Sequence, residues 1–259
     1  MKYFKEPFIT TAIWFPYYGR NNPTVSVAEI EEYAIANTRV FIEGGLTKVM
    51  IQDENLNVGP AYPETIATMS SVGRLLKREF PQLELGVIVQ AHDPYAPIAI
   101  ANACGADFVR IKVFSGARQK SEGIRQGIGI DTKNYRTMIN SDVKILADCH
   151  DRESFPVSDV PIEVTAGWAE RSGADALVLT GMNYSETLDY LRRVGESDVQ
   201  LPLICGGSVN ENNIGEILSL ADGAVVSSSF QFDDKQQHGL LRWDVEKVKR
   251  FIDIVHNVQ

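Results

Sequence analysis

At residues 105–113 the sequence reads GADFVRIKV, and the same Gly-Ala-Asp opening recurs in GADALVLT at residues 173–180. A close relative of this pattern, ADGAVV, stands at residues 221–226. Each copy marks a point where a helix ends in a tight turn and a buried apolar strand begins. A repeated junction of this kind is typical of chains that alternate strands and helices from end to end.

Short apolar runs bounded by Gly, Pro, Asp or Asn predict eight strands, at residues 8–14, 48–52, 84–90, 107–113, 143–148, 174–180, 201–205 and 223–226. Helical patterns follow at residues 26–43, 64–79, 96–104, 162–172, 185–194, 210–220 and 244–256. The first helix opens with a capping box formed by Ser26 and Glu29. Eight strand–helix units predict an α/β fold, a single-domain (β/α)8 TIM barrel over residues 1–259. A doubly wound open sheet is the alternative, but residues 15–20 lack the Gly-rich phosphate loop that it needs.

Composition excludes several classes of protein. The chain has 25 Lys and Arg against 34 Asp and Glu, a formal net charge of −9, which argues against nucleic-acid binding and against docking on anionic membranes. No apolar run approaches the roughly 18 residues of a membrane span, and the first residues do not read as a secretory signal. Three widely spaced cysteines (Cys104, Cys149 and Cys205) predict reduced thiols and a cytoplasmic protein. Because barrels often associate, a homo-oligomer stays open.

Two Gly- and Ser-rich stretches follow the last two predicted strands, CGGSVN at residues 205–210 and SSS at residues 227–229. In a barrel, the loops after the carboxyl ends of the strands carry the chemistry. Glycines let the backbone approach a ligand closely, and backbone N–H and hydroxyl groups can hold an anion. We therefore predict that a phosphate is bound by Gly206, Gly207, Ser208, Ser227 and Ser228. The alternative is a tight turn followed by a Ser or Asn helix cap.

The fourth predicted strand carries two cations, Arg110 and Lys112, which alternation places on the same face. The outward face of a barrel strand packs on helices, so both cations are expected to point into the barrel. Charges buried there are costly unless they are paired or functional. Two interpretations stay open: a structural ion-pair network, and a site that stabilises negative charge on a substrate. Lys112 could also form a Schiff base.

Carboxylates and imidazoles gather at three other strand ends. The candidate catalytic residues are Lys112, Asp148, His150 and Asp93, because acid–base chemistry needs a facing set of titratable groups. The candidate substrate-binding residues are Asp53, His92, Arg110, Arg118, Arg125 and Thr180. A divalent metal could use Asp and His side chains, Asp151 among them, but no compact ligand motif marks such a site, and no cofactor is indicated. Single acids at loop starts are often helix caps instead.

Residues 115–132 are predicted to form a long loop with four glycines and three cations. A loop of about 18 residues in a compact domain is usually functional or disordered. We expect it to act as a lid that brings Arg118 and Arg125 over an anionic ligand. A solvated excursion of the chain is the alternative.

An ordered set of short motifs covers nearly the whole chain: FVRIKVFSGA at residues 108–117, EGI at 122–124, ILAD at 145–148, TG at 180–181, NEN at 210–212 and WD at 243–244. The set resembles the BtpA/SgcQ family. The resemblance implies a TIM barrel of the phosphate-binding type. One branch of that family is linked to photosystem I accumulation and another to a sugar-metabolism gene cluster.

The sequence departs from the family pattern at strand ends. Lys112 stands where the family has Asn, and Arg152-Glu153 stands where it has a Lys-His pair. We expect an enzyme acting on a small phosphorylated sugar or nucleotide-like metabolite, of the lyase, isomerase or glycosyl-bond-cleaving class. The second hypothesis is a non-catalytic assembly or regulatory barrel, such as a photosystem biogenesis factor, which predicts an exposed apolar patch.

Overall fold

The computed structural model describes residues 3–55, 57–150, 152–234 and 238–258, so Asp151 lies outside the described residues. Eight parallel strands, numbered along the chain with those of a smaller sheet, close into a barrel. They are Phe8–Trp14 (β1), Lys48–Gln52 (β2), Glu84–Ile88 (β3), Phe108–Ile111 (β4), Lys144–His150 (β7), Ala176–Leu179 (β9), Leu203–Cys205 (β10) and Gly223–Val225 (β11). The predicted (β/α)8 barrel is confirmed, and each predicted strand is present with ends that differ by at most two residues.

Helices follow the barrel strands and cover the outside of the barrel. They are Val27–Glu43 (α1), Pro63–Glu79 (α2), Ala96–Cys104 (α3), Gly129–Met138 (α4), Ile162–Arg171 (α5), Tyr184–Gly195 (α6), Ile214–Leu220 (α7) and Val245–Asn257 (α8). The predicted capping box of α1 is confirmed, because the Glu29 N–H donates to the Ser26 hydroxyl and the Ser26 N–H donates to the Glu29 carboxylate. Over the described residues, no helix has both the length and the apolar character that crossing a membrane requires.

The prediction of a long loop at residues 115–132 is wrong. Ala117–Lys120 (β5) and Gly123–Gln126 (β6) form an antiparallel hairpin, and β5 also pairs with Phe155–Pro156 (β8). Helix α4 then begins at Gly129, inside the predicted loop, and no helical pattern in the sequence predicted it. Two of its apolar side chains, Ile130 and Met138, are 65% and 73% exposed, so α4 lacks the apolar stripe that marks a surface helix.

The Gly-Ala-Asp junctions and their relative at residues 221–223 lie at the amino-terminal end of the barrel, where they join neighbouring strands. At each of the three junctions, the Oδ2 atom of the aspartate accepts a hydrogen bond from a backbone N–H at the start of a neighbouring strand. The pairs are Asp107 with Leu85 at 2.8 Å, Asp175 with Ile145 at 2.8 Å and Asp222 with Leu203 at 3.0 Å. Each aspartate therefore joins its own strand to the barrel strand that precedes it. The repeat has a structural role at the end of the barrel that TIM barrels use for stability rather than for catalysis.

Apolar side chains fill the inside of the barrel: Ala12, Met50, Ile88, Phe108, Leu146, Ala176, Val178, Ile204 and Val225. The Phe108 ring fits there because β3 has no side chain at Gly86, where a Cβ would lie 2.4 Å from Phe108 Cε2. A second and larger apolar layer lies between the strands and the helices. The packed interior closes the barrel below its carboxyl-terminal end.

Candidate functional site

A cavity of about 750 Å³ opens at the carboxyl-terminal ends of the barrel strands. Ala12, Ile88 and Val225 from the inner apolar layer line it, together with polar residues from the strand ends and the following loops. Ligand sites in proteins have volumes of roughly 300–1,000 Å³, and TIM barrels place them at this end. Position and size together make this cavity the candidate site.

The five residues predicted to bind phosphate all line this cavity. They form the phosphate loops, residues 206–208 after β10 and residues 227–228 after β11. Within the described parts of the chain, the backbone N–H groups of Gly207, Ser208 and Ser228 donate to no protein acceptor. Ser208 has a φ of 61°, the left-handed conformation that makes successive N–H groups into a concave anion site. The loops thus offer unused donors beside the cavity.

Gly206 packs against Thr180, a predicted substrate-binding residue that also lines the cavity. A Cβ at Gly206 would lie 1.9 Å from Thr180 Oγ1, so only glycine fits there. The Thr180 side chain is buried, and its hydroxyl has no hydrogen-bond partner among the described residues. A buried hydroxyl without a partner is costly, which makes it a candidate to bind a ligand.

Arg110 lines the cavity and is held by Asp148 from the neighbouring strand β7. Arg110 Nε donates to Asp148 Oδ2 at 3.0 Å, and Nη2 donates to Oδ1 at 2.8 Å. The two side chains are only 12% and 1% exposed. A buried bidentate pair fixes the guanidinium in one orientation. Asp148 uses both carboxylate oxygens on Arg110, and its predicted catalytic role remains a prediction.

Lys112 also lines the cavity, but its partners hold it more loosely. Its Nζ lies 3.3 Å from Gln90 Oε1 and 3.1 Å from Glu153 Oε2. Glu153 is 63% exposed and also lies 3.7 Å from Lys120 Nζ. Arg110 and Lys112 therefore both form ion pairs and both line the cavity. The interpretation as an ion-pair network and the interpretation as a ligand site are thus compatible with each other.

Two further cations, Arg152 and Arg242, line the cavity and were not among the predicted site residues. Arg152 Nη2 donates to Ser208 Oγ at 3.1 Å, and in the described residues Arg152 forms no ion pair. The Arg242 guanidinium lies 4.5 Å from the centre of the Trp14 ring. The departure of Arg152 from the family pattern was a usable signal, whereas no local pattern marks Arg242.

Two of the predicted acids lie outside this cavity. Both carboxylate oxygens of Asp93 accept backbone N–H groups, from Tyr95 and Ala96 at the start of α3 and from Ala61. Asp53 is fully buried and accepts the N–H groups of Gln90 and Asn55. Burial raises the pKa of Asp53 to about 6. The contacts of Asp93 are those of a helix cap, and both residues hold loops beside the site.

The two predicted histidines also lie outside it. A β-bulge between Asp148 and His150 shifts the register of β7. His150 lines a separate cavity of about 280 Å³, and its Nδ1 lies 2.6 Å from the Thr180 carbonyl oxygen. His92 Nε2 lies 2.8 Å from the Gln126 carbonyl oxygen, and burial lowers the pKa of His92. His92 therefore contacts the hairpin, and His150 contacts the strand end next to the candidate site.

The two predicted arginines of the hairpin are both buried, each only 5% exposed, and neither lines the 750 Å³ cavity. Arg118 and Arg125 stand opposite each other on β5 and β6. Arg118 donates to the Ser154 hydroxyl and carbonyl oxygen, and Arg125 pairs with Glu122. Across the described residues, no group of three His, Cys, Asp or Glu side chains is placed to hold a metal ion.

The fold and this cavity define a TIM barrel with a candidate small-molecule site at its carboxyl-terminal face. The model of the BtpA family matches residues 6–257, so the chain belongs to the BtpA family. An uncharacterised protein of Methanocaldococcus jannaschii is 26% identical over 98% of this chain and 97% of its own length. The photosystem I biogenesis protein BtpA of Synechocystis is 26% identical over 94% of this chain and 82% of its own length.

Solved structures share the fold. The native KDPGal structure superposes with a TM-score of 0.63 at 12% identity, covering 100% of this chain and 98% of that one. For 3-hexulose-6-phosphate synthase the TM-score is 0.59 at 13% identity, with 98% and 99% covered. For N-(5'-phosphoribosyl)anthranilate isomerase from Pyrococcus furiosus it is 0.56 at 14% identity, with 97% and 100% covered. At these identities the likeness shows the fold alone.

Proposed function

We propose that this chain is an enzyme acting on a small phosphorylated sugar or nucleotide-like metabolite. The observation that carries the proposal is the pair of phosphate loops, with three backbone N–H groups that have no acceptor in the described parts of the protein. Arg152 supports it, because its guanidinium contacts Ser208 and forms no ion pair among the described residues. Unused donors and a cation beside one cavity suit a phosphate group.

Two of the solved structures with this fold add weaker support. A phosphorylated sugar appears in the name of each, 3-hexulose-6-phosphate synthase and N-(5'-phosphoribosyl)anthranilate isomerase. We transfer from them only the class of ligand, since a shared fold does not define a reaction. The lyase, isomerase and glycosyl-bond-cleaving classes all stay open for this chain.

The remaining cavity residues suggest how a bound sugar would react. Arg110, fixed by Asp148, and Lys112 are placed to stabilise negative charge that develops on a substrate oxygen. Gln52, Gln90 and Glu54 line the same cavity and can bind hydroxyl groups. In this proposal Asp148 is a positioning residue for Arg110, and Lys112 is the candidate catalytic residue.

Thermal unfolding with and without ligand tests the phosphate claim. We expect ribose 5-phosphate, but not ribose, to raise the unfolding midpoint, because a ligand that binds only the native state stabilises it. Arg152→Gln should weaken ribose 5-phosphate binding about tenfold or more through loss of a charge-assisted hydrogen bond. Arg192→Gln, an equal charge change at an exposed position on α6, is the matched control. The proposal fails if no phosphorylated sugar or nucleotide raises the midpoint.

One observation favours the non-catalytic alternative. Ile124 and Phe155 stand opposite Gln119 on neighbouring strands of the small sheet, and they are 60% and 62% exposed. Exposed apolar side chains that share a face can bind a protein partner. An assembly factor would lose its function on substitution of Ile124 and Phe155 by Ser and keep it in Arg152→Gln, and an enzyme would show the reverse.

A further inference from the structure

We propose that the ligand of this cavity carries a second anionic group, which binds Lys112 by displacing the Glu153 carboxylate. This inference rests on the proposed function, because it takes the first anionic group to be the phosphate held by the phosphate loops. It narrows the substrate class to phosphorylated metabolites with a carboxylate or a second phosphate at the other end. Three observations support it: the position of Lys112, the charges that line the cavity and the exposure of Glu153, the partner of Lys112.

The position of Lys112 places it across the barrel from the phosphate loops. Around the closed barrel the strand order is β1, β11, β10, β9, β7, β4, β3 and β2. Strand β4, which leads into Lys112, is four strands away from β11 in either direction. Both groups line the same cavity of about 750 Å³. A ligand bound at the phosphate loops and at Lys112 therefore spans the mouth of the barrel.

The charges that line the cavity are unbalanced. Among the described residues that line it, the cations are Arg110, Lys112, Arg152 and Arg242, and the carboxylates are Glu54 and Glu153. Asp148 already neutralises Arg110. If Glu153 moves away from Lys112, three cations face one carboxylate in the described part of the lining. Because charges in a cavity attract ligands of opposite sign, this excess fits two anionic groups better than one.

The Lys112–Glu153 contact is of a kind that a ligand can exchange. Glu153 is 63% exposed, and an ion pair with so exposed a partner contributes little to stability. Lys120, only 9% exposed and 3.7 Å away, can keep the displaced carboxylate paired. The Arg110–Asp148 pair is buried and bidentate, so breaking it would leave an uncompensated charge. Of the two cations Arg110 and Lys112, Lys112 is therefore the one whose ion-pair partner a ligand can replace.

Three ligands with the same six-carbon chain and a phosphate on C6 test the inference by calorimetric titration: glucose 6-phosphate, 6-phosphogluconate and glucose 1,6-bisphosphate. We expect 6-phosphogluconate or the bisphosphate to bind about tenfold tighter than glucose 6-phosphate, as for one added charge-assisted hydrogen bond. If 6-phosphogluconate binds more tightly, the second group is a carboxylate, and if the bisphosphate does, it is a phosphate. Equal affinities for all three ligands would overturn the inference and leave the phosphate claim intact.

Two variants assign the gain to the Lys112–Glu153 pair. Lys112→Met should remove the advantage of the doubly charged ligand, and Glu153→Gln should increase it by removing the internal competitor. Lys144→Met, the same change at an exposed position at the opposite end of the barrel, should preserve it. An advantage that survives Lys112→Met, or that falls in Glu153→Gln, contradicts the inference. If none of the three ligands binds the wild type, this inference fails, and the ribose 5-phosphate titration decides whether the proposed function fails with it.

Discussion

Gly206 and Gly207 look alike in the sequence, but their surroundings differ. A Cβ at Gly206 would meet Thr180 Oγ1 at 1.9 Å and Val178 Cγ1 at 2.8 Å, both in the packed wall of the barrel. A Cβ at Gly207 would meet Arg152 Nη2 at 2.6 Å, the far end of a flexible side chain. The first glycine is therefore required by packing, and the second leaves room for the cation that we assign to phosphate.

The two glycines should consequently respond differently to alanine. Gly206→Ala should lower the free energy of unfolding by about 1–3 kcal/mol through overpacking. Gly207→Ala should change stability little but weaken ribose 5-phosphate binding, because Arg152 must move. Thr180→Ala should restore part of the stability lost in Gly206→Ala, since contacting residues are coupled. Denaturant unfolding and calorimetry measure both effects, and equal stability losses for the two glycines would contradict this assignment.

Asp53 is a buried carboxyl group beside the site, and burial raises its pKa to about 6 from an ordinary value near 3.8. The native state therefore binds this proton more tightly than the unfolded chain does. It follows that the contribution of Asp53 to the free energy of unfolding falls as the pH rises from about 4 to about 6.

Comparison with Asp53→Asn isolates this effect. The free energy of unfolding of the wild type, minus that of Asp53→Asn, should fall by on the order of 2–3 kcal/mol between pH 4 and pH 7. Denaturant unfolding at a series of pH values measures the difference, and the variant removes the background from other titrating groups. A difference that stays constant or rises with pH would show that the native state does not raise the pKa of Asp53.

At the scale of elements, the aspartates of the repeated junctions hold the barrel strands together. Asp175 illustrates this role, because it accepts the Ile145 N–H and pairs with Arg136. The motif was visible in the sequence as the mark of a strand start. Its bond to the neighbouring strand was not, since the partner N–H lies 30 residues away along the chain.

Asp175→Ala should lower the free energy of unfolding by about 1–3 kcal/mol, because the Ile145 N–H loses an acceptor and Arg136 loses its carboxylate partner. Affinity for ribose 5-phosphate should not change, since Asp175 lies at the opposite end of the barrel from the cavity. Asp142→Ala, at an exposed neighbouring position, is the matched control for the lost charge. A loss of affinity in Asp175→Ala at full folding would contradict the separation of the two ends.

The sequence predicted the barrel well because its strands are short apolar runs bounded by turn residues. It failed at residues 115–132, where glycines and cations indicated a loop and the chain forms a hairpin and the start of α4. The reason is physical: the hairpin is stabilised by partners distant in sequence, since β5 pairs with β8 and Arg118 donates to Ser154. Patterns within a short stretch of sequence do not predict contacts between residues that are far apart along the chain.

At the scale of the whole molecule, the chain has a net charge of −9, and the described residues that line the cavity include four cations and two carboxylates. An acidic surface around a basic cavity favours a small anion over a nucleic acid. Arg110, Lys112 and the phosphate loops were predicted from strand alternation and glycine content. Arg152 and Arg242 were not among the predicted site residues, because closure of the barrel brings them to the cavity from distant parts of the chain and only the departure of Arg152 from the family pattern marked either of them.

The central claim is that the phosphate loops hold the phosphate of a ligand. The most direct test is a titration of the isotopically labelled protein with ribose 5-phosphate, followed by the NMR shifts of its backbone amides. We predict saturable shifts that are largest for the amides of Gly207, Ser208 and Ser228, and no such shifts with ribose. Absence of saturable shifts, or largest shifts in residues away from the two loops, would contradict the claim.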